Sequence, residues 1–293
     1  MAPTDGATAT RRGFESLRAL GTLLMVPNLG LNLFFALAYL LVAAHGRPGW
    51  TLATLVLLAF IGARNAGHAF NQVVDREFDA KNPRTRDRPL VTGTLSVRAA
   101  VAVVAVNLAV FFLAALLINP WLTVLALPAV ALMLGYSYTK RFTPATTVLL
   151  GAVQALLPAG VYLAVMGTVP LAAWTAVGAM VLFGTAFESV HSLGDLASDE
   201  EQGLFSLPRS LGAKRTPYLV GGLLAGAAVL LTVFLVESWG LSPWVALPLA
   251  GVAALAVAEV LGLRAKRPRL LPLFRLHFAM GGVFLATVVL FYL

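Results

Sequence analysis

Asn71, Asp75 and Asp79 recur at intervals of four residues, and Asp195 and Asp199 repeat the interval later in the chain, with Glu188 seven residues before Asp195. A helix turns about 100° per residue, so such positions share one slowly drifting face, with about 6 Å of rise between neighbours four apart. Each acidic segment therefore reads as a rail of oxygen ligands. Basic side chains accompany both rails: Arg76 within the first and Lys81, Arg84, Arg86 and Arg88 after it, Arg209, Lys214 and Arg215 after the second. Carboxylates brought close together repel unless a cation lies between them. Hard oxygen donors without a Cys or His cluster favour Mg²⁺, which binds a few carboxylates together with phosphate oxygens. Arg and Lys suit a diphosphate directly. The chemistry is that of a leaving diphosphate, whose developing charge metals and cationic side chains stabilise.

The rest of the chain places this chemistry in a membrane. Of 293 residues, 59% are hydrophobic and only 12% charged, where a soluble domain carries roughly a quarter charged. Apolar runs of bilayer-crossing length fall at about 19–43, 50–71, 99–118, 121–139, 145–166, 171–191, 217–236, 243–263 and 272–292. Some contain Pro (Pro27, Pro128, Pro158), which neighbouring helices make tolerable. The reading is an all-α, polytopic membrane protein of nine transmembrane helices. Residues 19–293 form one domain behind a flexible cytosolic N-terminus at 1–18. The first apolar stretch is taken as a retained span, because it is long and lacks a small-residue cleavage site.

Charge orients the spans. With Arg64 counted near the cytosolic side, every Lys and Arg except Arg47 falls on one face of the nine-span arrangement. The positive-inside rule puts the N-terminus and both acidic rails in the cytoplasm and the C-terminus outside. Trp50, Trp121, Trp174, Trp239 and Trp244 all fall at the opposite ends, as interfacial anchors do. The net charge of +8 lies in short loops rather than as a stripe on a polar domain, which argues against nucleic acid as a partner. The absence of cysteine excludes disulfide and thiolate chemistry.

Two acidic rails at the cytosolic mouth of an apolar bundle suit a lipid diphosphate, with its tail between helices and its head group at the rim. Where the C–O bond is allylic, loss of diphosphate leaves a delocalised carbocation for an electron-rich aromatic partner, and water must be kept away from it. Two other readings compete. Loop charges in membrane proteins are often only topological, and acids near a membrane also serve cation or lipid transporters. Transporter sites, however, lie near mid-membrane at broken helices, whereas these acids sit at span ends.

At this point the chain resembles the UbiA superfamily of integral-membrane aromatic prenyltransferases, over nearly its full length and most strongly at 63–93. The family's NxxxDxxxD motif stands as Asn71, Asp75 and Asp79. Asn82-Pro83-Arg84-Thr85, Arg88-Pro89-Leu90, the Gly135–Thr143 segment GYSYTKRFT and Gly203–Pro208 are similar to the branch that prenylates hydroxybenzoate or naphthoate quinone precursors. The resemblance implies a nine-helix bundle around a central cavity, capped on the cytosolic side by the loops after the second and sixth helices, in a bacterial cytoplasmic membrane. It implies that Asn71, Asp75, Asp79, Asp195 and Asp199 hold two Mg²⁺ ions that bridge the diphosphate. Lys140 and Arg141, with Arg76, Arg84 and Arg88, are then diphosphate contacts, Glu188 is the further acid of the second motif, and Arg64, His68, Tyr138 and His191 are candidate contacts to the acceptor. The implied partners are a polyprenyl diphosphate, an aromatic acid and the lipid bilayer. The implied reaction is polyprenyl transfer to 4-hydroxybenzoate, with 1,4-dihydroxy-2-naphthoate or a related menaquinone precursor as the alternative acceptor. Glu188 replaces a common Asp, His191 a common Tyr, His68 a common Met and Thr147 a common His; these departures bear on the acceptor more than on the reaction class. Glu259, inside the eighth span, has no role in this scheme.

Overall fold

The computed structural model describes residues 16–26, 29–265 and 269–293. Arg11, Arg12 and the expected flexible segment through residue 15, together with Pro27, Lys266 and Arg267, lie outside the described residues. A helical stretch at 16–23 (α1) is followed by α2 (Leu29–Ala43), α3 (Trp50–Val74), α4 (Arg76–Asp79), α5 (Pro89–Thr92), α6 (Val97–Ile118) and α7 (Pro120–Thr139). Next come α8 (Thr146–Met166), α9 (Leu171–Glu201), α10 (Leu207–Leu211), α11 (Thr216–Trp239), α12 (Pro243–Leu263) and α13 (Leu270–Tyr292), with no strand among the described residues.

Local sequence sets the helix starts. Ser96, Asn119, Ser206 and Ser242 accept the backbone N–H of Ala99, Trp121, Arg209 and Trp244 at the heads of α6, α7, α10 and α12, satisfying donors that a helix start leaves open. Pro in the first turn of α7, α10 and α12 needs no N–H there.

Among the described residues, eight helices (α3, α6 to α9 and α11 to α13) are long and apolar enough to cross a bilayer. The expected first crossing, 19–43, is divided: α1 stops where Met25 takes a left-handed backbone (φ 46°), and the shorter apolar α2 follows. The break stands just before Pro27-Asn28 in the sequence, a signal that the overall apolar character of 19–43 outweighed. The sixth crossing differs in the other direction. Helix α9 runs for 31 residues to Glu201, about 46 Å at 1.5 Å per residue against a hydrocarbon core of about 30 Å. The second acidic rail is thus the protruding end of one helix. The first rail is kinked instead: α3 ends at Val74, Asp75 sits at φ −91° and ψ 0°, and α4 restarts at Arg76.

Two apolar cores flank the interior. One joins α2, α8, α9 and α11 to α13 through Phe35, Tyr39, Phe183, Phe234 and Phe284, with several edge-on ring contacts. The smaller joins α1, α3, α5, α6 and α7 around Leu23, Ala66, Leu90, Val104 and Met133. Helices α8 and α9 cross at Gly151 and Gly184, where a Cβ on Gly151 would stand 2.5 Å from the Val181 carbonyl oxygen. At one end of the bundle, Trp239 stacks on Phe291 at 4.2 Å and Gly46 faces the Tyr292 ring. The C-terminal ends of α3, α7 and α9 meet at the other end.

Candidate active site

A cavity of about 480 Å³, walled by α2, α3 and α6 to α9, opens where those three helix ends meet. Its deeper wall is apolar, with Phe60, Phe111, Ile118, Leu122, Leu157 and Leu163 among its lining; its mouth carries both acidic rails. Asn71 donates to Asp75 Oδ2 at 2.9 Å and reaches Ser137 Oγ at 3.4 Å. Lys140 Nζ lies 2.7 Å from the same Asp75 oxygen. Burial raises the Asp75 pKa, against the charge and hydrogen bond of Lys140, which lower it; Asp79 adds to the rise. Arg88 Nη1 pairs with Asp79 Oδ2 at 2.6 Å, and Thr85 Oγ1 donates to the Asp79 carbonyl.

The second rail is tied to the first by the segment between α4 and α5. Asn82 Nδ2 donates to Asp195 Oδ1 at 2.8 Å, while Arg84 bonds Oδ1 through Nε at 2.8 Å and Oδ2 through Nη2 at 2.5 Å. Arg84 N–H in turn donates to Asn82 Oδ1 at 2.9 Å, which stiffens the turn that presents both side chains. The fork-to-carboxylate geometry fixes orientation as well as distance. Burial alone would lower the Arg84 pKa, and its bonds to Asp195 leave it raised. Residues more than 100 positions apart in the chain thus share one mouth. Asp199, Glu188 and His191 line the same cavity on α9.

Arg64 and His68 also line the cavity, deeper along α3; Arg64 is eleven residues before Asp75, about 16 Å of helix. Its guanidinium bonds the carbonyl oxygens of Leu24 and of Met25, the latter at 2.8 Å, and Gln72 donates to the Leu23 carbonyl at 2.7 Å. These carbonyls end α1, where no further turn can take them. Arg64 is therefore a helix cap before it is anything else, with Nε left buried and without a hydrogen-bond partner. An Arg64→Ala variant is expected to lose roughly 1–3 kcal/mol of stability, seen as a lower melting temperature and faster protease cleavage near 24–26; unchanged values in both would remove the capping role.

Three expected contacts do not line the cavity. Arg76 is exposed. Arg141 donates to the Val74 carbonyl at 3.1 Å and lies over the rings of Phe78 and Tyr138. Tyr138 is 43% exposed, and Tyr136 lines the cavity in its place. Two residues along a helix turn the side chain about 200°. Tyr136 lies four residues before Lys140 and so shares its face, a signal already present in GYSYTKR. Asn82, as a partner of Asp195, was another missed site residue. Thr147 is structural: fully buried, it accepts the N–H of Leu207 at 3.1 Å.

Among the described residues no three acidic or His side chains converge as a ready-made metal cage; Lys140, Arg88 and Arg84 each sit on a carboxylate instead. The donor set is nonetheless all oxygen. Asp75 Oδ1 is buried with no hydrogen-bond partner, a costly state for a carboxylate oxygen that a hard divalent cation relieves. The residues fit Mg²⁺.

A helical membrane bundle whose cavity is apolar at depth and ringed at its mouth by acids and paired cations has the layout of an integral-membrane transferase. The UbiA prenyltransferase family matches residues 32–288, and the chain belongs to that family. It is similar to a 4-hydroxybenzoate octaprenyltransferase of Paracidovorax citrulli, 33% identical over 232 residues that cover 78% of this chain and 76% of that one. The apo structure of a UbiA homologue from Aeropyrum pernix K1 superposes with a TM-score of 0.81 at 29% identity, covering 90% of this chain and 98% of the other. A UbiA homologue from Archaeoglobus fulgidus bound to GPP and Mg²⁺ shares the fold, with a TM-score of 0.71 at 20% identity over 92% and 99% of the two chains.

Proposed function

We propose that this protein transfers a polyprenyl group from polyprenyl diphosphate to 4-hydroxybenzoate. The observation that carries the reading is the bridge from Asn82 and Arg84 to Asp195, which draws both rails to one polar mouth above an apolar cavity. The curated relative named above supports the acceptor. The polar mouth takes the diphosphate, and the apolar depth takes the tail. Asn71, Asp75, Asp79, Asp195 and Asp199 would hold Mg²⁺, which when bound would supply Lewis-acid stabilisation of diphosphate oxygens; two rails suit two ions. Lys140, Arg84 and Arg88 exchange their carboxylate partners for diphosphate oxygens and offset the charge on the leaving group.

The allylic C–O bond breaks with its electron pair leaving on the diphosphate. A ring carbon of the acceptor bonds to the prenyl carbon, and the displaced ring proton restores aromaticity on leaving. Arg64, through its unpartnered Nε, together with His68 and His191, orients the acceptor's carboxylate and hydroxyl beneath the diphosphate. The apolar walls exclude water that would quench the cation. The basic loops set the mouth and the N-terminus in the cytoplasm and the C-terminus outside a bacterial cytoplasmic membrane.

Purified protein given radiolabelled polyprenyl diphosphate, 4-hydroxybenzoate and Mg²⁺ is expected to form labelled prenylated acid, and EDTA should lower the rate by about 100-fold or more. Product with 1,4-dihydroxy-2-naphthoate and none with 4-hydroxybenzoate would reassign the acceptor. Ligand movement across proteoliposomes with no covalent product would overturn the transferase reading.

A further inference from the structure

Glu259 of α12 and His277 of α13 are both fully buried, with Oε1 and Nδ1 3.2 Å apart, and neither lines the cavity. The approach is not aligned as a hydrogen bond, and the carboxylate oxygens and ring nitrogens are all buried with no hydrogen-bond partner among the described residues. Two ionisable side chains facing each other inside the membrane are expensive, and apolar residues would join two helices at less cost. The surroundings of His277 show what the pair reaches. Its ring lies edge-on to Phe183 at 5.0 Å and to Phe187 at 5.1 Å. Phe187 is a cavity wall residue and lies edge-on to His191, another wall residue, at 5.2 Å. Phe274, one turn before His277 on α13, also lies against His191 at 4.3 Å and is itself edge-on to Phe187 at 6.2 Å.

We propose that Glu259 and His277 are positioning residues for the aromatic acceptor, a proposal that rests on the acceptor lying against His191. Glu259, packed against the His277 ring, limits its rotation, that ring supports Phe187, and Phe187 and Phe274, in contact with each other, together hold His191 at the cavity wall. Edge-to-face ring pairs depend on angle as well as distance, so freeing His277 loosens the whole series. The diphosphate mouth is held by a separate set of ion pairs, from Arg84 and Arg88 between α4 and α5 and Lys140 after α7 to Asp195 on α9, Asp79 on α4 and Asp75 after α3. The pair therefore acts on one substrate and not on the other.

The test uses the full-length protein in detergent, with initial rates for both substrates and thermal melts. Glu259→Leu and His277→Leu are each expected to lower the melting temperature and to raise the acceptor KM about fivefold, with the KM for prenyl diphosphate unchanged within about twofold. Glu259→Gln, which keeps a polar group of the same shape beside the imidazole, restores both values. The Glu259→Leu/His277→Leu double variant, with no polar group left unpaired, regains the melting temperature but keeps the raised acceptor KM; this is the result a purely adhesive pair would not give. A double variant with the original acceptor KM, or single variants that shift both KM values equally, would overturn the proposal. Absence of prenylated product from the unmodified protein would overturn the functional reading itself, and this proposal with it.

Discussion

Replacing Asp195 by Asn is expected to leave the bundle folded and to lower prenyl transfer by about three orders of magnitude. Asp195 receives two hydrogen bonds from Arg84 and one from Asn82, yet the Arg84 side chain is 45% exposed, and an ion pair with so exposed a partner contributes at most about 1 kcal/mol to stability. Asn keeps the shape and a carbonyl acceptor. It loses the negative charge that would join the two rails through a divalent cation, and with it the stabilisation of the departing diphosphate. Asp75→Asn should act alike, since Asp75 Oδ1 is the buried oxygen without a partner. Initial rates beside melting temperatures separate the two effects. Full turnover in both variants would remove these residues from the metal site.

Gly151→Leu is expected to cost on the order of 3 kcal/mol or more and to abolish activity through a different route. Even a Cβ at that position stands 2.5 Å from Thr185 Oγ1 and from the Val181 carbonyl, and 2.9 Å from the Thr185 nitrogen. Two of those atoms are backbone in the middle of α9 and cannot move aside by a change of rotamer. Nearby, a Cβ on Gly184 would stand 2.9 Å from the Gly151 Cα, so the crossing has no slack from either helix. Forcing α8 and α9 apart displaces the helix that carries Glu188, Asp195 and Asp199. Gly135→Leu on α7 is the control: nothing lies within 4 Å of its added Cβ, and its melting temperature should stay near that of the unmodified protein. Equal stability of the two variants would show that this crossing does not hold the cavity closed.

Much of the membrane architecture was legible because it is written in bulk properties. Hydrophobic length marked where helices could cross, and Asp75, Asp79, Asp195 and Asp199 all line one cavity. What escaped was set by backbone geometry and by partners distant in sequence. Pro27-Asn28, two residues past the left-handed Met25, was a break signal that the apolar run at 19–43 outweighed, whereas Arg64 finds the Leu24 and Met25 carbonyls from some 40 residues away. The break between α3 and α4 at Asp75 is unmarked by the regular four-residue interval of the rail. Tyr138 was a misreading of a periodicity in plain view, since Lys140 already marked which face of α7 looks inward. Glu259 seemed misplaced in a span because its counterpart lies on the next helix, 18 positions later, at His277.

Lys140, Arg88 and Arg84, each held against an acid by its own tether, give the mouth built-in counterions. On the proposed diphosphate role, those same side chains would fall back onto the carboxylates when pyrophosphate departs, so each catalytic cycle would end with the negative charges covered by residues of the chain rather than by solvent. Turnover would then resemble an ion exchanger being regenerated, with product release drawn forward by the re-pairing.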